Sequence, residues 1–496
     1  MRALRLPLLA IGAVLALAAP AAAETRIVRF DPQVTPRAEV RSVLERAGVR
    51  AAVLRELPFA AVDGTLGELA VVRRLPGVLS MHRDERLRFY LHEAGSLLFG
   101  GAEQRAATYA AGFDGTGQTV AVVDSGTDGL HADLRDRVVR NVKVVGTDGI
   151  LTEDTFRHHV ECPGPCTTDT TSGHGTHVSG TVAGDGTASD GFYTGIAPGA
   201  GLVGIGTGDG ASVFHALQAF DYVLAHPELG ITAVNNSWGA DGRFDASDPV
   251  NVATKRLHDA GITVVFAFGN SSWATESPGA PDGASDCSEG GDCRTNRYAV
   301  APWVVGVGAT RKDARGGPGD QPLSTFSSRG DPTPRTSADG AYTVRHEPTL
   351  SAPGVNIRAA RAPNTVLQLT CGPSAEAPSC VPPKPEYEPF YVSMSGTSMA
   401  APMVSGAVAV VQSAAQRRLG RRLTPDEVKA LLADTAAPMT QVDGFWDWPC
   451  GSAAFVACGS DVDGTTAAPY ASWQVGAGAL DVQAALAAVT PERFGA

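Results

Sequence analysis

Lysine is scarce in this chain of 496 residues, and arginine supplies most of its 40 basic charges. Acids outnumber them at 52, leaving a net charge of −12, which argues against nucleic acid as the main partner. Long apolar runs are also missing. Beyond residues 6–19 no stretch is apolar and long enough to span a bilayer, so the chain is not a membrane bundle. Among the eight cysteines there are no paired C-x-x-C units, and histidines do not stand where they would complete a zinc site. What is present is ample core material: a hydrophobic content of 43% over this length can fill a large interior and more than one unit.

The first 23 residues read as a secretory signal. Arg2 and Arg5 precede the apolar run 6–19, and Ala21-Ala22-Ala23 fits a small-residue cleavage site, with a retained anchor as the weaker alternative. The chain is therefore expected outside the cytoplasm, extracellular or periplasmic, as a monomer free of the membrane once the signal is removed. Export makes the cysteines readable as four local couples: Cys162/Cys166, Cys287/Cys293, Cys371/Cys380 and Cys450/Cys458. Four short disulfide loops are the favoured reading, and metal stands behind it.

Residues 24–95 form a candidate small unit. Their patterns run strand (26–30), helix (38–47), strand or hairpin (53–62), helix (66–75) and strand (78–87), the order of a split βαβ sandwich. This unit carries twelve arginines against ten acids, whereas the chain after it carries 26 bases and 42 acids. Opposite charge suits a segment that docks on the rest of the chain; an ordinary N-terminal domain is the plainer alternative.

From residue 96 strands alternate with helices. Strands are expected at 118–124, 201–205, 231–235, 262–268 and 304–309, with helices at 212–225 and 250–260. That alternation predicts an α/β fold, a doubly wound parallel sheet with helices on both faces. In such sheets, active residues gather beyond the carboxyl ends of strands. Asp124 and Asn270 both stand there. A carboxylate after a buried strand is costly without a partner. The block Ser172-Gly173-His174-Gly175-Thr176-His177 opens a helix and offers an imidazole. The block Ser395-Gly396-Thr397-Ser398-Met399-Ala400-Ala401-Pro402 places a hydroxyl at the start of an apolar helix, where unpaired N–H groups favour a developing negative oxygen. A serine becomes a good nucleophile only when an imidazole takes its proton and an acid fixes that imidazole.

At these residues the chain resembles the subtilisin-like serine proteases. Asp124-Ser125-Gly126, the His174 block and the Ser398 block occur in the subtilisin order Asp, His, Ser. Secondary stretches agree: Asn236-Ser237-Trp238-Gly239, Ser351-Ala352-Pro353-Gly354 and Val475-Gly476-Ala477-Gly478. The resemblance spans about 112–486. It implies that Asp124 orients His174, that His174 is general base and then acid, that Ser398 is the nucleophile, and that Asn270 donates to the oxyanion. It further implies that Ser237, Trp238 and Gly239 line one wall of the P1 pocket and pair with an extended polypeptide substrate, while Ala267 and Gly269 approach the other.

Residues 24–95 then correspond to an inhibitory and folding-assisting pro-segment, a partner cut off by the enzyme itself, and 96–496 to a peptidase domain with disulfide-bearing insertions. Two departures leave the P1 preference open: Phe268 stands where the family is usually small, and the insertion 271–297 follows Asn270. Its acids Asp286, Glu289 and Asp292 would favour basic P1 side chains if they face the pocket; a surface ornament is an equal reading. His177 is expected to pack rather than catalyse, and His131 and Asp133 to shape a loop. No cofactor is required. Many relatives bind calcium, and Asp461-Val462-Asp463-Gly464 resembles the start of a calcium loop, but no full ligand set can be assigned. The rival readings are a peptidyl transferase or ligase using the same acyl-enzyme, and a secreted binding protein with a dead triad.

Overall fold

The computed structural model describes residues 24–53, 59–83, 97–144, 159–162, 166–208, 213–272, 284–311, 317–337, 340–365, 387, 389–442, 448–449, 457–458 and 467–495. Two compact units divide the chain, at 1–88 and 89–496.

In the first unit the elements run β1 (Glu24–Phe30), α1 (Arg37–Arg46), β2 (Arg50–Val53), β3 (Phe59–Gly64), α2 (Leu66–Val72) and β4 (Val78–Arg83). The strands form one antiparallel sheet in the order β2-β3-β1-β4, so the expected β-α-β-β-α-β order holds and the stretch 53–62 resolves into two strands. Alternation of side chains turns Val28 and Phe30 of β1 and Ala60 and Val62 of β3 to one face. There they are buried with Val40 and Leu44 of α1 and Leu69 and Val72 of α2. A capping box starts α2: Glu68 Oε2 accepts from Thr65 N at 2.7 Å while Thr65 Oγ1 accepts from Glu68 N at 3.4 Å.

The second unit opens with α3 (Ala102–Ala110) and is built on eight strands. Seven are β5 (Thr119–Asp124), β6 (Val138–Val144), β7 (His159–Glu161), β8 (Gly201–Gly206), β9 (Ile231–Asn236), β10 (Thr263–Ala267) and β11 (Val304–Thr310). After a short hairpin of β12 (Arg335–Thr336) and β13 (Thr343–Val344) comes the eighth, β14 (Leu350–Pro353). Their order is β14-β11-β10-β9-β5-β8-β6-β7, parallel throughout except for the edge pair β6/β7. Both faces are covered. Val120 and Val122 of β5 enter one core with α4 (His174–Ala183) and α7 (Thr397–Leu419). Their alternates Ala121 and Val123 enter a second core with α5 (Val213–Ala225) and α6 (Pro249–Asp259). This is the α/β, doubly wound arrangement that the sequence predicts.

Contrary to the sequence reading that no further stretch could span a bilayer, helix α7 is long and apolar enough by length and composition, yet 94% of its apolar window is buried in the protein, so it is a core helix. A hairpin of β15 (Ile357–Ala360) and β16 (Tyr391–Met394) delivers the chain to its start. Helix α8 (Pro425–Asp434) comes next. Two of the four expected disulfides, Cys162–Cys166 and Cys287–Cys293, are formed; the Cys371/Cys380 and Cys450/Cys458 couples fall outside the described side chains.

Candidate active site

Strand β5 ends on Asp124, next to β9 and at the point where the strand order departs in both directions. Such a switch point leaves a crevice beyond the carboxyl ends of the strands. Thr207 fixes the strand end, donating from N (2.7 Å) and Oγ1 (3.0 Å) to the Asp124 carbonyl. Asp124 is buried; its Oδ1 accepts from Ser125 N at 2.8 Å and lies 2.6 Å from His174 Nδ1. A buried acid with an imidazole N–H on it is the fixed tautomer that base catalysis needs, with Nε2 as the other ring nitrogen.

His174 is the first residue of α4, entered through Gly173 at φ +85°. No cap side chain sits on Gly173 itself. Asp169, five residues before His174, takes the exposed N–H groups instead. Its Oδ1 accepts from Gly173 N (2.8 Å), and its Oδ2 from Thr176 N (3.0 Å) and Thr176 Oγ1 (2.7 Å). Ser125 joins strand to helix, donating from Oγ to Asp169 Oδ1 at 3.1 Å and accepting from Gly175 N at 2.8 Å. The approach is close: a Cβ on Gly175 would lie 2.1 Å from the Gly126 carbonyl oxygen. Burial alone pushes the His174 pKa down, but the charge and hydrogen bond of Asp124, with the charge of Asp169, hold it above the ordinary value.

Ser398 is the second residue of α7 and is partly exposed. Pro402 stands four residues later and has no N–H to give the Ser398 carbonyl. Ser237 supplies the missing donor, its Oγ lying 2.8 Å from Ser398 O. In return the Ser398 hydroxyl donates to Ser237 O at 2.9 Å rather than to His174. Asn270 lies just past the end of β10. Its Oδ1 accepts from Thr397 N and Thr397 Oγ1, each at 2.9 Å, which turns the amide nitrogen toward Gly396. A Cβ on Gly396 would lie 3.4 Å from Asn270 Nδ2, at contact distance, so the glycine keeps that donor uncrowded. Asn270 and Ser398 thus share the Gly396–Thr397 turn.

The stretches that the resemblance assigns to the P1 walls lie after β9 and at the end of β10. Gly239 is exposed, whereas the Trp238 ring turns inward: Nε1 donates to Val123 O at 2.9 Å and the ring packs edge-on to Phe266. Ala267 is buried and Gly269 partly exposed at φ +116°. Phe268, which the sequence placed in doubt as a pocket residue, is fully buried in the core on the α5/α6 side.

Two acids of the insertion are met locally. Asp292 pairs with Arg294 (Nε to Oδ2, 2.7 Å), and Asp286 lies 3.5 Å from Arg335, so the charge argument for basic P1 side chains loses much of its field. His177 is fully buried with Nε2 2.9 Å from Ile357 O, and burial brings its pKa down to about 3, so it is a packing residue. His131 and Asp133 tie loops together: His131 Nε2 sits 2.8 Å from Phe390 O, and Asp133 Oδ2 accepts from Tyr391 Oη at 2.7 Å. Residues 461–464 lie outside the described residues.

Sequence reasoning missed Asp169 and also Asn296, whose amide nitrogen donates to both Trp238 O and Ala267 O. Asp169 had a signal, an acid a helical turn ahead of an uncapped helix start; Asn296 had none.

A family model described as the subtilase family matches residues 115–471. The serine protease AprX of Bacillus subtilis is 32% identical over 328 residues, covering 64% of this chain and 61% of that protein. Bacillopeptidase F of the same organism is 29% identical over 67% of this chain, which spans 19% of its length. Alkaline serine exoprotease A of Vibrio alginolyticus is 26% identical over 73% of this chain and 50% of its own. Among solved structures, a chain described as S41 psychrophilic protease aligns with TM-score 0.47 and 22% identity over 70% of this chain and 90% of its own.

Proposed function

The chain belongs to the subtilase family, and from that premise we propose that it is an exported serine endopeptidase acting on polypeptides and made as a self-processing zymogen. The observation that carries the reading is the 2.6 Å contact of Asp124 with His174 at the sheet's switch point, with Ser398 and Asn270 on the same rim. In the reaction Ser398 Oγ turns from Ser237 O toward His174 Nε2, gives up its proton and attacks the scissile carbonyl carbon. The C–N bond breaks, and the leaving amine takes the proton from His174. Water then repeats the cycle on the acyl-enzyme. Asn270 Nδ2 and the Ser398 N–H receive the oxyanion as it forms. Ser237–Gly239 offer a backbone edge to the extended substrate, and Ala267 and Gly269 face it.

Residues 24–95 serve as the pro-segment. Support comes from their position, the split βαβ order and their positive balance beside an acidic remainder. Export rests on the character of residues 1–23. The test is labelling with a fluorophosphonate probe. One label should map to Ser398 and vanish in Ser398→Ala, and the wild type should hydrolyse casein; an unlabelled Ser398 in folded protein overturns the reading.

A further inference from the structure

Behind the nucleophile runs a buried polar line that the reaction above does not use. It starts at Ser405, about two turns beyond Ser398 on α7 and fully buried. Its Oγ donates to Asn235 Oδ1 of β9 at 2.9 Å, closer than the Ala401 carbonyl of its own helix at 3.2 Å. Asn235 is fully buried too, on the sheet face where Ala233 enters the core shared with α4 and α7. An amide among such side chains is costly without partners. Its Nδ2 donates to Ser237 Oγ at 3.0 Å, and Ser237 Oγ lies 2.8 Å from Ser398 O.

The inner end sets the direction of the line. Ser405 gives its one hydroxyl hydrogen to Asn235 Oδ1, which leaves Nδ2 facing Ser237. Ser237 Oγ accepts there, so its own single hydrogen goes to the Ser398 carbonyl. With the amide turned over, Oδ1 would draw that hydrogen away, and Pro402 has no N–H to replace it. The line thus leaves α7, crosses β9 and returns to α7 ahead of the proline, bridging the gap in the helix ladder.

We infer that Ser405 and Asn235 are positioning residues: acting through Ser237, they fix the Ser398 carbonyl, so that the backbone of the nucleophile stays in place while its hydroxyl turns from Ser237 O to His174. The inference rests on the protease reading and deepens it by naming what holds that site's nucleophile. Without the Ser405 hydroxyl the amide loses its preferred orientation, and the first turn of α7 loses its tie.

The test compares the mature wild type with Ser405→Ala, Ser237→Ala and the double variant, each made from the full chain. Active sites are counted with a fluorophosphonate, kcat and KM are measured on a peptide p-nitroanilide, and folding is followed by thermal melting. Ser405→Ala should lower kcat at least about fivefold with KM little changed, against the roughly 10²-fold cost of a misplacement of about 1 Å. Ser237→Ala cuts the same line at its last link, so adding Ser405→Ala to it should lower kcat by less than about twofold more. A serine that only packs would instead multiply its effect into the double variant. A smaller fall in Ser405→Ala, or a larger further loss in the double variant, overturns the inference. So does a Ser405→Ala chain that does not fold, because the hydroxyl then serves stability. Wild type that takes no label removes the protease reading itself, whereas labelled wild type beside an unaffected Ser405→Ala removes this inference alone.

Discussion

As the proposed general base, neutral in the resting enzyme and charged in the transition state, His174 sets the acid side of the expected pH profile. The charges of Asp124 and Asp169 outweigh burial and lift the His174 pKa, so kcat/KM should rise with pH through a midpoint above about 6.5. His177 adds no second limb near neutrality, because its pKa is brought down to about 3. A midpoint below about 6.5 in the wild type would contradict this balance. Linkage has the same sign: a raised pKa makes charged His174 stabilising below the ordinary value, and that contribution is lost as pH rises through the folded-state pKa. Asn270→Ala should lower kcat about 10²–10³-fold with KM little changed, a magnitude taken from the family's type enzyme. A fall in kcat of less than about threefold would contradict the oxyanion role. The candidates Asp124, His174, Ser398 and Asn270 could be picked from the sequence because the proposed chemistry demands those side chains in short glycine-rich blocks. Asp169 was readable as an acid one turn ahead of an uncapped helix start but was passed over, whereas Asn296 was not readable, since it acts on carbonyls 58 and 29 residues away that only the folded chain brings near. Phe268 misled for a related reason: the sequence shows a large residue beside the pocket but not that its ring faces the core.

The helices carrying His174 and Ser398 meet at a glycine. A Cβ on Gly406 of α7 would stand 2.7 Å from Ile196 Cβ and 3.1 Å from Val182 O of α4. Gly406→Ala should therefore push α7 from α4, costing about 1–3 kcal/mol by thermal or denaturant unfolding. It should lower kcat while the fluorophosphonate still labels the residual active fraction. An unchanged melting temperature would show that the two helices tolerate separation. Elements with unbroken apolar runs, such as β5, β9, β10 and β11, were readable to within a residue or two. Strand β6, next to the edge strand β7, was not, because Arg140, Asn141 and Lys143 interrupt its pattern. Strands β14, β15 and β16 have four residues each, too few for a period to emerge. Helix α8 has a clear start signal in Thr424, Pro425 and Glu427, a capping box with proline at the first position, which a search for apolar runs passes over.

At the scale of the molecule, the charge difference between the two units and the single nucleophile make maturation testable. Ser398→Ala, expressed without other proteases, should accumulate a folded precursor that keeps residues 24–95, seen as an uncut band and an intact mass. Normal processing of that variant would end the self-cleavage proposal. Replacing Cys287 and Cys293 with serine should lower stability by about 2 kcal/mol, because the bridge closes a short loop. Among the other ties on that loop is Cys287 N donating to Asp331 at 3.0 Å.

The proposed site is scattered along the chain: Asp124 and His174 are 50 residues apart, and the Ser398 hydroxyl meets a carbonyl 161 residues upstream. Contacts of such long range form late and slowly, since the intervening chain must first be ordered. Hydrolysis therefore cannot begin while most of the molecule is still a floppy, cleavable polymer. Chain topology acts as a timer, and on refolding the return of amide-cleaving activity should trail the return of helical circular dichroism, leaving each new molecule closed against attack before its neighbours can cut.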